Sequence, residues 1–387
     1  MKAIVNARIL TMVGDEIENG FIIWNKGKIV EVGSGEPSYK VQDVIDANGN
    51  FVLPGFVDPH CHIGMWGDGV GFEGEDGNES VDPITPHLRA IDSIYCDDYC
   101  FVEARQAGVT TVVTGPGSAN ILGGQFAAIK TFGRYVDEMI IKAPCAVKAA
   151  LGENPKNVYH EKKQSPITRM ASAALLRETL FRAQEYDSAI TLHETSPEDN
   201  TAPDFDIRLD VLRNVLSGEV PLKIHAHRTD DIATAIRIAE EFSLEYTIEH
   251  CTEGYLIADV LVEKGVKAIV GPILCDRSKI ELKNLNIKAP GILSKKGVKI
   301  ALMTDHPVTP IQHLSLCAAI AAREGLGEVE ALKAITIYAA ELNNIEDRVG
   351  SLETGKDADI VLFDGHPLDL KSKVLTTIIN GEIVYEA

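Results

Sequence analysis

With 387 residues, 45% of them apolar, the chain can bury one large core and a smaller one. Its 37 basic and 57 acidic side chains leave a formal charge of −20, which argues against nucleic acid and anionic membrane as partners, since both need a basic face. Seven scattered cysteines make no disulfide framework and fit a reducing compartment. Cys96 and Cys100 are spaced by one helical turn and read as core packing. No apolar run approaches the roughly 20 residues that span a bilayer, and Met1 to Arg8 lacks the apolar stretch of a secretory leader, so a cytoplasmic location is expected.

Residues 1 to 50 alternate β-branched runs with turns: Ala3 to Leu10, Gly20 to Trp24 and Lys28 to Gly33, with Asn25-Lys26-Gly27 a hairpin signal. The carboxyl-terminal stretch repeats the style in Asp359 to Asp364 and Thr377 to Tyr385, the latter carrying the favoured turn Asn380-Gly381. Neither end alone has enough strands to cover a core, so the two are expected to pair into one small β-sandwich.

Between them, strands alternate with helices, the pattern of a parallel sheet wrapped by helices. The run Val52 to Phe56 leads into Val57-Asp58-Pro59-His60-Cys61-His62; side chains alternate along a strand, so His60 and His62 share a side. A glycine- and acid-rich stretch from Gly64 to Asp82 reads as a long loop, and such loops are often functional. A helix is predicted over Pro86 to Gly108, then a second strand over Val109 to Thr114. Gly115 to Gln125 could present backbone N–H groups to an anionic group, or simply turn tightly into a helix. The third strand is Cys145 to Leu151, followed by a helix over Thr168 to Tyr186, an irregular piece over Ser196 to Asp206 and a helix to Ser217. Ala189 to His193 is a weak candidate for the fourth strand.

Val220 to His227 forms the fifth strand. Helices follow at Asp230 to Phe242, with Thr229 as a plausible N-cap, and at Gly254 to Lys264. Between those two helices the sixth strand runs from Glu245 to His250. Ala268 to Gly271 and Val298 to Thr304 are the seventh and eighth, and helices at Gln312 to Glu324 and Val329 to Ala340 complete the cycle.

Four of these strands end in metal-competent residues: His60-x-His62, His225 with His227, His250, and Asp305. A parallel barrel gathers its chemistry at the carboxyl ends of its strands. As a set, these motifs resemble the metal-dependent amidohydrolase superfamily over nearly the whole chain, most closely its imidazolonepropionase-related branch. The resemblance implies a (β/α)8 TIM barrel over residues 54–349, with residues 1–53 and 350–387 forming the composite β-sandwich. It implies a divalent metal, zinc being the expected ion, as one ion or two, held by His60, His62, His225, His250 and Asp305.

Asp305 takes, by position, the proton-shuttle role of the superfamily. Members with two metals add a carboxylated lysine or a glutamate. Lys148 and Glu153 are the candidates, and Glu153 is preferred because it stands at the strand's carboxyl end whereas Lys148 would lie deep in the barrel. His227 and Arg228 are expected to contact substrate. The ion activates water and polarises the substrate, and Asp305 accepts and returns the proton. The expected reaction is hydrolysis of a C–N bond in a small molecule: a cyclic amide, an N-acyl amine or a dipeptide-like compound. Deamination of an amino-heterocycle on the same site is the alternative, and a non-catalytic barrel with an assembly role is a third. A homo-oligomer is the default expectation.

Overall fold

A computed structural model describes every residue except Glu36 and residues 68–70, so part of the Gly64 to Asp82 loop lies outside the described residues. Two sheets organise the fold. The first is built from both chain ends: β1 (Lys2–Ile9), β2 (Ile17–Asn25), β3 (Lys28–Ser34), β4 (Asp43–Asp46) and β5 (Phe51–Pro54) join β14 (Ile360–Phe363), β15 (Val374–Ile379) and β16 (Glu382–Glu386). The ends meet where β5 pairs antiparallel with β14, and the order is β16-β15-β14-β5-β1-β2-β3, with β4 paired to β1.

Both turn signals sit at this joint and pack on each other. Gly27 and Gly381 have φ of 78° and 77°, conformations open to glycine at no steric cost. A Cβ on Gly27 would lie 2.9 Å from Asn380 O, and one on Gly381 would lie 2.7 Å from the Trp24 ring. The buried Trp24 indole donates to Gly381 O at 3.0 Å.

The second sheet is a nearly closed barrel of eight strands: β6 (Phe56–Cys61), β7 (Val109–Thr114), β8 (Leu122–Lys130), β9 (Ile140–Ala150), β10 (Leu222–Ala226), β11 (Tyr246–His250), β12 (Ala268–Val270) and β13 (Ile300–Leu302). The last strand's end meets the first: Asp305 N donates to His60 O at 3.2 Å and His62 N to His306 O at 2.9 Å. The buried Asp58 carboxylate accepts from the Thr304 backbone and hydroxyl across the same seam.

The barrel departs from eight parallel strands, because β8 runs antiparallel to both β7 and β9. Its sequence, Leu-Gly-Gly-Gln-Phe-Ala-Ala-Ile-Lys, is poor in β-branched residues, and burial on every position rather than propensity makes it a strand. A short loop therefore suffices after β7, where a parallel return would need a crossover.

The candidate fourth strand, Ala189 to His193, is instead the end of a helix spanning Arg169–Thr195, started by Thr168 Oγ1 accepting from Ala171 N at 3.1 Å. Within Pro86 to Gly108 the α-helix is confined to Tyr99–Gln106, because the preceding segment lies along β8, with bridges from Ile84 to Leu122 and from Arg89 to Gln125. The helix after β10 spans Thr229–Phe242, and its N-cap is Arg228 rather than Thr229.

Barrel and terminal sheet are tied by a buried ionic knot. Lys130 of β8 reaches Asp359 at 2.5 Å and Asp357 at 3.0 Å, and Arg348 and Lys28 also hold Asp357. Among the described residues no helix is long and apolar enough to cross a membrane.

Candidate metal centre

Two trios of metal-competent side chains converge at the carboxyl ends of the barrel strands. His60, His62 and Asp305 form one, and His225, His227 and His250 the other; within each trio the ligand atoms lie within 4.8 Å of one another. The His60 and His250 rings, 5.9 Å apart, bring the trios side by side. All six residues are buried. His250 and Asp305 adopt left-handed backbone, φ 69° and 52°, a cost of about 1–3 kcal/mol each that non-glycine residues bear chiefly at functional sites.

Four of the five imidazoles are held by a hydrogen bond at Nδ1. His62 Nδ1 donates to Gly115 O at 2.6 Å and His250 Nδ1 to Gly271 O at 3.0 Å; since a carbonyl only accepts, both rings turn an Nε2 lone pair toward the centre. Gly271 can present that carbonyl because it has φ of 140° and no Cβ, which would lie 2.8 Å from Met303 O. His225 Nδ1 lies 2.9 Å from Ser118 Oγ, and His227 Nδ1 lies 2.7 Å from Thr252 Oγ1. His60 Nδ1 lies 2.6 Å from Glu249 Oε2, close but outside hydrogen-bond alignment, and Lys223 stands 3.3 Å from the same oxygen. Outer partners of this kind fix tautomer and ring orientation in metal-binding histidines.

These donors fit a divalent cation. His62 Nε2 faces Asp305 Oδ1 at 3.2 Å, two acceptors turned toward each other, and among the described residues the buried His227 Nε2 has no hydrogen-bond partner. Burial, reinforced by neighbouring positive groups, holds His60, His225 and His250 well below the usual imidazole range and His227 at about 3, so all four are neutral, the form that binds metal. Burial pushes Asp305 upward, but His62, His60 and Lys148 outweigh it and keep the carboxyl below its ordinary value.

Lys148 is fully buried, and its Nζ lies 3.1 Å from His60 Nε2; burial lowers its ammonium to about 8. The expectation that Lys148 lies too deep is corrected: its four-carbon stem carries the amine up to the histidines. Glu153, the preferred candidate, is not brought to either trio. It opens the helix Glu153–Glu161, where its carboxylate accepts from Glu281 N at 3.2 Å. Arg228 is not in the cavity either; both arms of its guanidinium are taken by Asp230, at 2.9 and 2.8 Å.

His62, Asp305 and the three histidines of the other trio line a cavity of about 510 Å³, with the fully buried His60 behind them, walled by Trp66, Asn78, Ser118, Asn154, Cys275 and Lys279 among others. Sequence reading missed Glu249, Lys223 and Glu281. The first two carry a signal in hindsight, charged residues inside otherwise apolar strands, whereas Glu281 sits in an ordinary-looking loop.

A barrel with metal-competent histidine and aspartate side chains at its strand ends, opening into a cavity of small-molecule size, is the architecture of a barrel enzyme with a candidate metal site. The chain belongs to the amidohydrolase family, whose profile matches residues 51–384, and is thereby a hydrolase acting on carbon–nitrogen bonds. It is similar to a crystal structure of an amidohydrolase from Thermotoga maritima MSB8, with 42% identity, all of both chains covered and a TM-score of 0.96. Among curated proteins it is similar to amidohydrolase tasK of Hapsidospora irregularis, 28% identical over 95% of this chain; the chain spans 40% of that relative's length. It is also similar to an imidazolonepropionase of Streptococcus gordonii, 26% identical over 96% of this chain and 90% of the relative.

Proposed function

We propose that this protein hydrolyses a C–N bond in a small molecule, a cyclic amide, an N-acyl amine or a dipeptide-like compound, with zinc as its ion and Asp305 as proton shuttle. One observation carries the reading: five imidazoles, four of them with a hydrogen-bonded Nδ1, converge with one ionised carboxylate at a single cavity that four of the imidazoles and the carboxylate line. His60, His62 and Asp305 would hold one ion and the His225 trio a second, with Lys148, carboxylated on its amine, between them. A divalent ion there supplies an activated water and polarises the scissile group.

The chain's own residues do the rest. Asp305, kept ionised at the cavity floor, accepts the water proton and returns it to the leaving nitrogen. Trp66, Asn78 and Asn154 wall the cavity and would orient the substrate.

Residues 1–53 with 350–387 form, on this reading, a β-sandwich domain beside the barrel of 54–349. Ile4, Ile22, Val52, Ile360 and Ile378, drawn from five strands, meet in one apolar cluster, as a sheet folded on itself allows.

The test is Asp305→Asn in the zinc-loaded enzyme, screened against amides, dipeptides and aminopurines. Turnover of the substrate found should fall by about 10²–10⁴-fold. Turnover at near the full rate refutes the shuttle role, and ammonia released from an aminopurine alone would make the enzyme a deaminase.

A further inference from the structure

Among the described residues, Lys279 is the single lysine or arginine that lines the cavity. It stands on the loop after β12, just ahead of the turn Ile280–Leu282, and 30% of its side chain is open. Asn154 Oδ1 takes one of its donors at 2.8 Å, and Glu281 Oε1 lies 3.4 Å from the same nitrogen. An ammonium carries three donors, so one is left for a group inside the cavity.

The loop that carries this lysine is fixed. Glu281 Oε2 accepts from Glu153 N at 2.9 Å while Glu281 N donates to Glu153 Oε2 at 3.2 Å, a reciprocal lock onto the helix Glu153–Glu161. Glu281 itself is 1% exposed, so the charge that this pair shows to the cavity is the lysine's. A buried carboxylate needs a cation beside it, which explains the pair but not why the ammonium is left open on the side of a substrate-sized space.

Distance narrows what the ammonium can hold. Glu281 Oε1 is 3.4 Å from Lys279 Nζ and 3.6 Å from His227 Nε2, which puts the ammonium within about 7 Å of the histidines. One residue of extended chain, about 3.3–3.6 Å, and a charge-assisted hydrogen bond of about 2.8 Å fit within that distance. An α-carboxylate stands one residue from the amide carbon. Asp276 and Asp305 also line the cavity, and one ammonium among them suits a monoanion better than a phosphate dianion.

We infer that Lys279 binds the substrate's carboxylate, so that the substrate is an N-acyl amino acid or a dipeptide and not a neutral amide. The inference rests on the C–N hydrolysis proposed above and narrows its substrate to amides with a carboxylate one residue from the scissile bond.

The experiment is steady-state hydrolysis by the full-length, zinc-loaded protein of N-acetyl amino acids and dipeptides, each paired with its carboxyl-terminal primary amide, alongside uncharged cyclic amides and N-acyl amines. Wild type is compared with Lys279→Met and Lys279→Gln; melting checks that each variant folds, and should one fail, the other decides. A hydrogen bond to a charged group predicts a wild-type preference of about 10–100-fold in kcat/KM for the acid over its amide. In the variants that ratio should fall below about 3-fold, through a higher KM for the acid. A wild-type ratio under about 10, a variant ratio of about 3 or more, a loss carried by kcat, or turnover confined to uncharged amides overturns the inference and leaves the proposed function standing. Turnover of none of these compounds overturns the proposed function and the inference with it.

Discussion

Glu249→Gln tests how the first trio is held. The carboxylate lies 2.6 Å from His60 Nδ1 and 3.3 Å from Lys223 Nζ, with all three side chains at most 2% exposed. Losing an outer carboxylate on a ligating histidine typically costs about 10–100-fold in metal affinity, or about 1.4–2.7 kcal/mol at 1.36 kcal/mol per decade. The same change leaves the buried Lys223 ammonium, among the described residues, with Asn343 Oδ1 at 3.1 Å and the Phe126 ring at 5.9 Å but no anion. Breaking a buried pair from one side costs about 3–5 kcal/mol, and the amide brings the expected loss of apoprotein stability to the low end of that range. The assays are zinc competition and urea unfolding of the metal-stripped protein. Lys223→Met combined with Glu249→Gln should recover most of the stability and none of the zinc affinity, since the charge imbalance is relieved while His60 stays unanchored. Unchanged zinc affinity in Glu249→Gln, or no recovery in the double variant, would refute this account.

Lys130→Met should destabilise the fold by about 3 kcal/mol near neutral pH, because it leaves Asp359, 3% exposed, without its cation while Asp357 keeps Lys28 and Arg348; urea titration measures it, and a loss below about 1 kcal/mol refutes the joint between barrel and terminal sheet. Burial pushes Asp357 up, but Lys130, Lys28 and Arg348 outweigh it and hold the folded carboxyl below its ordinary value of 3.8. Its contribution is therefore full above that unfolded value and lost as pH falls through the lower folded one, so Asp357→Asn should flatten the acid limb of a stability-against-pH curve below about pH 4. Gly271→Ala forces a Cβ against Met303 O at φ 140° and should cost about 1–3 kcal/mol in melting experiments, with weaker zinc binding through the displaced His250 anchor. Arg228→Ala should change stability by less than about 1 kcal/mol and leave kcat and KM unaltered, since its partner is the exposed Asp230 and not substrate.

Local pattern alone fixed the His-x-His strand ends, the alternation of strand and helix and the turns at Asn25 to Gly27 and Asn380-Gly381, because each is a property of neighbours along the chain: a period of two, a period near four, a residue that tolerates positive φ. It also brought His60, His62, His225, His250 and Asp305 forward as a set, since each closes its own apolar run. What only the tertiary structure decided depends on distances across the barrel. β8 is a strand because burial overrides its glycines and alanines. Ala189 to His193 is helical because nothing interrupts the turn begun at Thr168. Lys148, and not Glu153, reaches the histidines because side-chain length, invisible to strand alternation, bridges one level of the barrel. Glu281 faces His227 from a loop more than 50 residues further along the chain, and no periodicity reports a pairing that exists only once the barrel has closed.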